Sequence, residues 1–176
     1  MHNVIRFRGK AYWKKIAVTV VAALAALMLL LAALSYNATV QRAVNRGYTG
    51  SAYEFSRELA NINIEGTDKQ LCVYLTSVDN IACAVVHKGI LGYRLMGLSG
   101  SIPIKSAEAQ LSIKSGFSSL GSADTINWGI IYSKDIKAVT VNGKDAPMYD
   151  LPQIGRVWYH FAKRDYAANT EIQFVQ

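Results

Sequence analysis

The stretch from Ile16 to Leu34 runs 19 residues with no charge and only Thr19 as a polar member, directly behind Arg6, Arg8, Lys10, Lys14 and Lys15. As a helix rising about 1.5 Å per residue it reaches roughly 28 Å, close to the ~30 Å hydrocarbon thickness of a bilayer, and so predicts a membrane span. No second run of this kind occurs, so the expected topology is single-pass. Length separates this segment from a cleaved signal peptide, whose apolar core is about 7–15 residues long. Ala33-Leu34-Ser35 would be the cleavage site in that alternative. The run has no cysteine near its end for lipid attachment, and Lys14 stands where a prepilin would need an acid. Ala22 and Ala26 have the spacing of a helix-dimer face, but in a span with seven alanines they are also plain filler.

The charge balance at first suggests a nucleic-acid partner, since 19 Lys and Arg against 12 Asp and Glu leave +7. Its distribution argues otherwise. Residues 35–176 hold 14 basic and 12 acidic residues, a net of +2, and the excess lies ahead of the apolar run. Basic flanks stay on the cytoplasmic side, which predicts the amino terminus inside and the bulk of the chain outside the cell membrane. Tyr12, Trp13 and Tyr36 suit the two interfaces. The expected organisation is a basic cytoplasmic tail (1–15), a transmembrane signal-anchor (16–36), a juxtamembrane helix or linker (37–50) and an extracytoplasmic domain (51–176).

About 140 residues beyond the span suffice for one domain with its own core. The anchor helix is expected to continue through Thr39 to Arg42 and to stop near Arg46-Gly47. Ser51 and Glu54 have the spacing of a capping box, with Phe55, Leu59 and Ile62 on one helical face behind it. From Gln70 the apolar period becomes two. Pairing Thr76 with Ile81 would put Leu71, Val73, Leu75, Ala82, Ala84 and Val86 on one face and Cys72, Tyr74, Ile81, Cys83 and Val85 on the other. Both faces are apolar, so these strands are expected to be central and covered on both sides, one cover being the Ser51 helix. Further strands are predicted at 92–98, 126–132, 156–161 and 171–175, with a hairpin of 137–141 and 144–149 about Asn142-Gly143, the preferred pair for a type I′ turn. Ser115 to Thr125 reads as a mobile loop. The expected fold class is α+β: a single transmembrane helix, then a strand-dominated, mostly antiparallel domain with one or two short helices.

Gly129-Ile130-Ile131, Ile136-Lys137-Ala138-Val139-Thr140-Val141-Asn142-Gly143 and Gly155-Arg156-Val157-Trp158-Tyr159 resemble the carboxy-terminal half of small uncharacterised envelope proteins of spore-forming Gram-positive bacteria. The resemblance implies an amino-terminal membrane or lipid anchor and carries no functional residues across.

No motif commits the chain to a chemistry. Cys72 and Cys83 are expected as buried free thiols; under the Thr76–Ile81 register they are diagonal neighbours about 7–8 Å apart, wide for the alternative of a disulfide. Cys83 and His87, four apart on a strand, lie roughly 13 Å from each other and cannot share an ion or a proton. G-x-S-x-G and S-x-x-K are absent, and Glu54 and Glu58 are accounted for by capping and exposure. Leu151-Pro152-Gln153-Ile154-Gly155 resembles a wall-sorting signal but has Ile154 in place of Thr, and reads as a turn. Tyr159, His160, Phe161, Lys163, Arg164 and Tyr166 interleave rings and bases as nucleic-acid platforms do, but the net charge outside is too small to expect nucleic acid.

Arg156, Trp158 and His160 alternate onto one strand face, which is the candidate partner-binding face. No catalytic or metal-ligating residues and no cofactor are expected. The favoured function is a membrane-tethered, non-catalytic extracytoplasmic module binding an envelope protein, a wall polymer or the membrane surface. One alternative is a sensory or regulatory subunit; a tail of 15 residues leaves no room for a catalytic output domain, so its signal would pass through a membrane partner. The other is an envelope enzyme whose site is assembled from distant residues.

Overall fold

A computed structural model of the chain describes residues 9–104, 111–115, 125–162 and 170–176. The predicted mobile loop lies almost wholly outside these, as do Lys163, Arg164 and Tyr166 and the first eight residues of the basic tail. The chain divides into two units, Met1–Tyr36 and Asn37–Gln176.

The first unit is the helix α1 (Gly9–Ser35). Its stretch Trp13–Leu34 is 22 residues of exposed apolar helix, about 33 Å long and enough to cross a bilayer. Length and composition of this kind suit a membrane anchor and a signal sequence alike. Thr19 donates its hydroxyl to the Lys15 carbonyl at 3.0 Å, so the one polar side chain between Ile16 and Leu34 is satisfied within the helix.

The second unit opens with α2 (Val40–Tyr48) and continues through β1 (Phe55–Asn63), β2 (Lys69–Thr76), β3 (Asn80–Gly89), β4 (Gly92–Leu98) and β5 (Ile102–Pro103). It is completed by β6 (Leu111–Ser115), β7 (Thr125–Ile131), β8 (Ala138–Val141), β9 (Lys144–Asp145), β10 (Met148–Leu151), β11 (Gly155–Ala162) and β12 (Ile172–Val175). The first sheet has the order β1-β2-β3-β4, with β5 also pairing β3; the second is β10-β11-β7-β6 and the third β12-β8-β9. Every pairing among the described strands is antiparallel.

Three apolar interfaces stack these elements in layers. Leu71, Val73, Ile81, Cys83 and Val85 of the first sheet meet Ile126, Trp128, Ile130, Val157 and Tyr159 of the second. On the outer face of the first sheet, Val40 and Val44 of α2 cover Cys72, Tyr74, Ala82, Ala84 and Val86. On the outer face of the second, Ile131 and Trp158 pack against Val139 and Val141 of the third. β2 and β3 are therefore central and covered on both sides, as their doubly apolar pattern predicts.

Several local expectations are corrected. The covering helix is α2 and not one starting at Ser51, because residues 55–63 are a strand with bulges at Ser56 and Leu59. Each bulge inserts one residue and reverses the alternation, which turns a period of two into a spacing that imitates a helix. Phe55 accordingly faces α2 while Ile62 faces the second sheet. Ser51 and Glu54 build a turn instead of a capping box: Gly50 N–H donates to Glu54 Oε2 at 2.8 Å and Tyr53 N–H to Ser51 Oγ at 3.2 Å.

The anchor helix does not run on to Arg46. It ends at Ser35, and α2 starts afresh with Thr39 as N-cap, whose hydroxyl accepts from Arg42 N–H at 3.2 Å. α2 belongs to the domain, since Asn45 Oδ1 accepts from Phe55 N–H at 2.7 Å and Asn45 Nδ2 donates to the Phe55 carbonyl at 3.3 Å. Residues 37–50, expected as a juxtamembrane helix or linker, hold the helix α2 and belong to the second unit.

In the β2–β3 hairpin Leu75, not Thr76, pairs with Ile81. The closing turn takes three residues, with Asp79 at φ 57. A shift of one residue exchanges faces, so Ala82, Ala84 and Val86 lie with Cys72 and Tyr74, and Cys83 lies with Leu71 and Val73. Asn142-Gly143 forms the expected turn, with φ 51 and 73, but its second strand is only Lys144–Asp145. After Ala146-Pro147 the chain crosses to the second sheet as β10.

Candidate functional site

The expected face of Arg156, Trp158 and His160 is not open. These residues lie on the side of β11 that the third sheet covers, and Trp158 is fully buried, edge-to-face with Phe174 at 6.2 Å and 80°. Arg156 is half-buried and donates through Nη2 to the carbonyls of Ser133 and Ile136, at 2.9 and 2.5 Å. Its charge pins the loop between β7 and β8. Only His160 reaches a concave surface.

Both cysteines are free and buried, on opposite faces of the first sheet, which rules out a bond between them. Burial pushes both thiols up, Cys72 further by the Glu58 carboxylate 3.9 Å away, so both are held neutral and poor nucleophiles. His87 is well separated from Cys83's interior position. Its Nε2 lies 2.7 Å from Asp68 Oδ2, beside the hydrogen bond from Lys88 N–H to the Asp68 carbonyl, so the pair closes a turn. Among the described residues no group of three His, Cys, Asp or Glu could hold a metal ion.

An open cleft of about 190 Å³ lies where the loop after β1 meets β10 and β11, lined by Ile64, Glu65, Pro147, Tyr149, Tyr159, His160 and Phe161. Strand geometry places its aromatic wall. Tyr149 pairs with Val157, so Tyr159 is its diagonal neighbour on the same face, and the two rings stack at 6.0 Å and 15°. Tyr149 stays 39% exposed. Phe161, two residues on, is capped by Lys69, whose ammonium sits 5.1 Å from the ring centre.

Burial, then a hydrogen bond with Tyr149 and the nearby Tyr149 and Glu65 oxygens, push the Tyr159 phenol up to about 12. It is therefore a neutral hydrogen-bonding group and not a base. Flat apolar rings edged by hydroxyls and one carboxylate make a surface that can stack on a ring and hydrogen-bond its rim.

Of the candidate partner-binding face, only His160 borders this cleft. Tyr159 and Phe161 stood in the interleaved aromatic run, a visible signal assigned to the wrong ligand class. Tyr149 was hidden by the reading of 144–149 as one strand, because the crossover that brings it beside Tyr159 follows from packing after Pro147. Glu65 carries no local signal. Comparison with protein-family models, with curated proteins and with solved structures finds no match to this chain.

Proposed function

We propose that the chain is a membrane-tethered, non-catalytic extracytoplasmic module that holds a glycan of the cell envelope in the Tyr149–Tyr159 cleft. The amino terminus would lie in the cytoplasm and residues 37–176 outside, following the five basic residues ahead of the apolar run. The observation that carries this reading is the stacked tyrosine pair beside Glu65, in an open cleft, where burial holds the Tyr159 phenol neutral. Sugars offer apolar ring faces to such a wall and hydroxyls to its polar edge.

The full-length protein in detergent, incubated with insoluble wall polymer and sedimented, should be retained, and Tyr149→Ala should lose about tenfold in retention if the ring supplies about 1.4 kcal/mol. Tyr149 is partly exposed, so this replacement leaves the core intact, which an unchanged circular dichroism spectrum checks. Equal retention of both proteins, or of neither, would overturn the proposal.

A further inference from the structure

The first sheet has two poles along its strands, and they carry different surfaces. At one, Phe55 pairs with Thr76 beside the β2–β3 turn, whose Val78 is 54% exposed. At the other the chain enters the domain. Asn37 and Tyr93 exchange both backbone hydrogen bonds there, at 2.7 Å each, next to the β3–β4 turn. That turn is Ile90-Leu91, closed by the Gly89–Gly92 pair. Ile90 is 105% exposed and Leu91 54%, and the exposed Lys88 and Arg94 flank them on the two strands.

Two large apolar side chains at the tip of a hairpin, between cations, have no packing role within the domain. The chain's own continuity indicates what covers them. Leu34 ends the apolar span and Asn37 follows three residues later, a reach of at most about 11 Å. Asn37 is bonded to Tyr93, two residues from Leu91. The contact admits no side chain at Gly92, whose φ is 114 and whose Cβ would collide with the Asn37 carbonyl. The turn is therefore fastened to Asn37, the first residue of the second unit.

We propose that Ile90 and Leu91 insert into the headgroup boundary of the bilayer that α1 spans, with Lys88 and Arg94 on anionic lipid headgroups; this rests on the anchor reading above. Apolar tips flanked by Lys and Arg suit that boundary, since the stems lie in the apolar zone and the charges reach the phosphates. Asp68, at the same end of the sheet, is engaged by His87. The loop bearing Glu65 leads into Asp68 at the same pole of the sheet.

The test uses the full chain in vesicles of equal parts phosphatidylcholine and phosphatidylglycerol, carrying an environment-sensitive fluorophore at Ile90→Cys or, as the control at the opposite pole, Val78→Cys. The native thiols are buried and stay unlabelled in the folded protein. Emission from position 90 is expected to shift to the blue and to be quenched by headgroup-proximal spin-labelled lipid, while position 78 reports water. Aqueous emission from both positions, in protein that stays with the vesicles through an alkaline carbonate wash, would overturn the insertion alone. Release of the chain by that wash would overturn the anchor reading and the insertion with it.

Discussion

Trp158 shows how far a single side chain can depart from its local pattern. On β11 it alternates with Val157 and Tyr159 and so stands opposite the main core, which in an isolated sheet would be solvent. Here Phe174 from β12 and the β8 valines close over it. A surface Trp would be replaceable within about half a kcal/mol, whereas Trp158→Ala should cost about 3–5 kcal/mol by leaving a cavity between the second and third sheets. Urea unfolding of residues 37–176 in the full chain distinguishes the two. The same geometry explains why Arg156 and His160 were legible as sharing one face but not as separated in role. Period two assigns a face, and it says nothing of whether a further layer covers that face.

Among the elements, β4 depends on one contact that no helix or strand pattern announces. Asn37 adds a single bridge to its outer edge, and Gly92 permits the approach. Gly92→Ala introduces both a Cβ at positive φ and a clash with the Asn37 carbonyl, and should destabilise by about 2–4 kcal/mol. Amide exchange should then show the loss first at Asn37 and Tyr93, with β7 and β11 still protected; uniform loss would mean that the bridge has no local role. The strands 92–98, 125–131, 155–162 and 172–175 were readable almost to the residue from alternation and turn residues. β1 was not, because its two bulges spaced Phe55, Leu59 and Ile62 as a helix would, and the capping pattern ahead of it agreed with the wrong reading.

For the molecule as a whole, buried acidic hydrogens set an alkaline limit. Cys72 and Cys83, with ordinary values of 9.0, and Tyr74, at 10.0, are all raised in the folded state, chiefly by burial. The unfolded chain loses these protons first, so above that point it binds fewer protons than the folded chain, and stability falls as pH rises. The expected outcome is an unchanged urea midpoint from about pH 7 to about pH 8.5 and a progressive decline beyond about pH 9. Reaction of both thiols with a disulfide reagent should follow the same unfolding curve. Thiol labelling of the folded protein at neutral pH would contradict it.

Local chemistry alone was enough for the apolar helix, the antiparallel strand-rich domain, the positive-φ turn at Asn142-Gly143 and the turn at 151–155, because each follows from composition or periodicity within a few residues. Hairpin register, the break between α1 and α2, the burial of Trp158 and the assembly of the cleft came from packing. Strands that are apolar on both faces fit their neighbours equally well one residue out of step, so the turn and the layers on either side must choose. The cleft joins Glu65 to Tyr149 and Tyr159 across more than 80 positions of chain, and no local signal can anticipate a contact that exists only when two sheets close on each other.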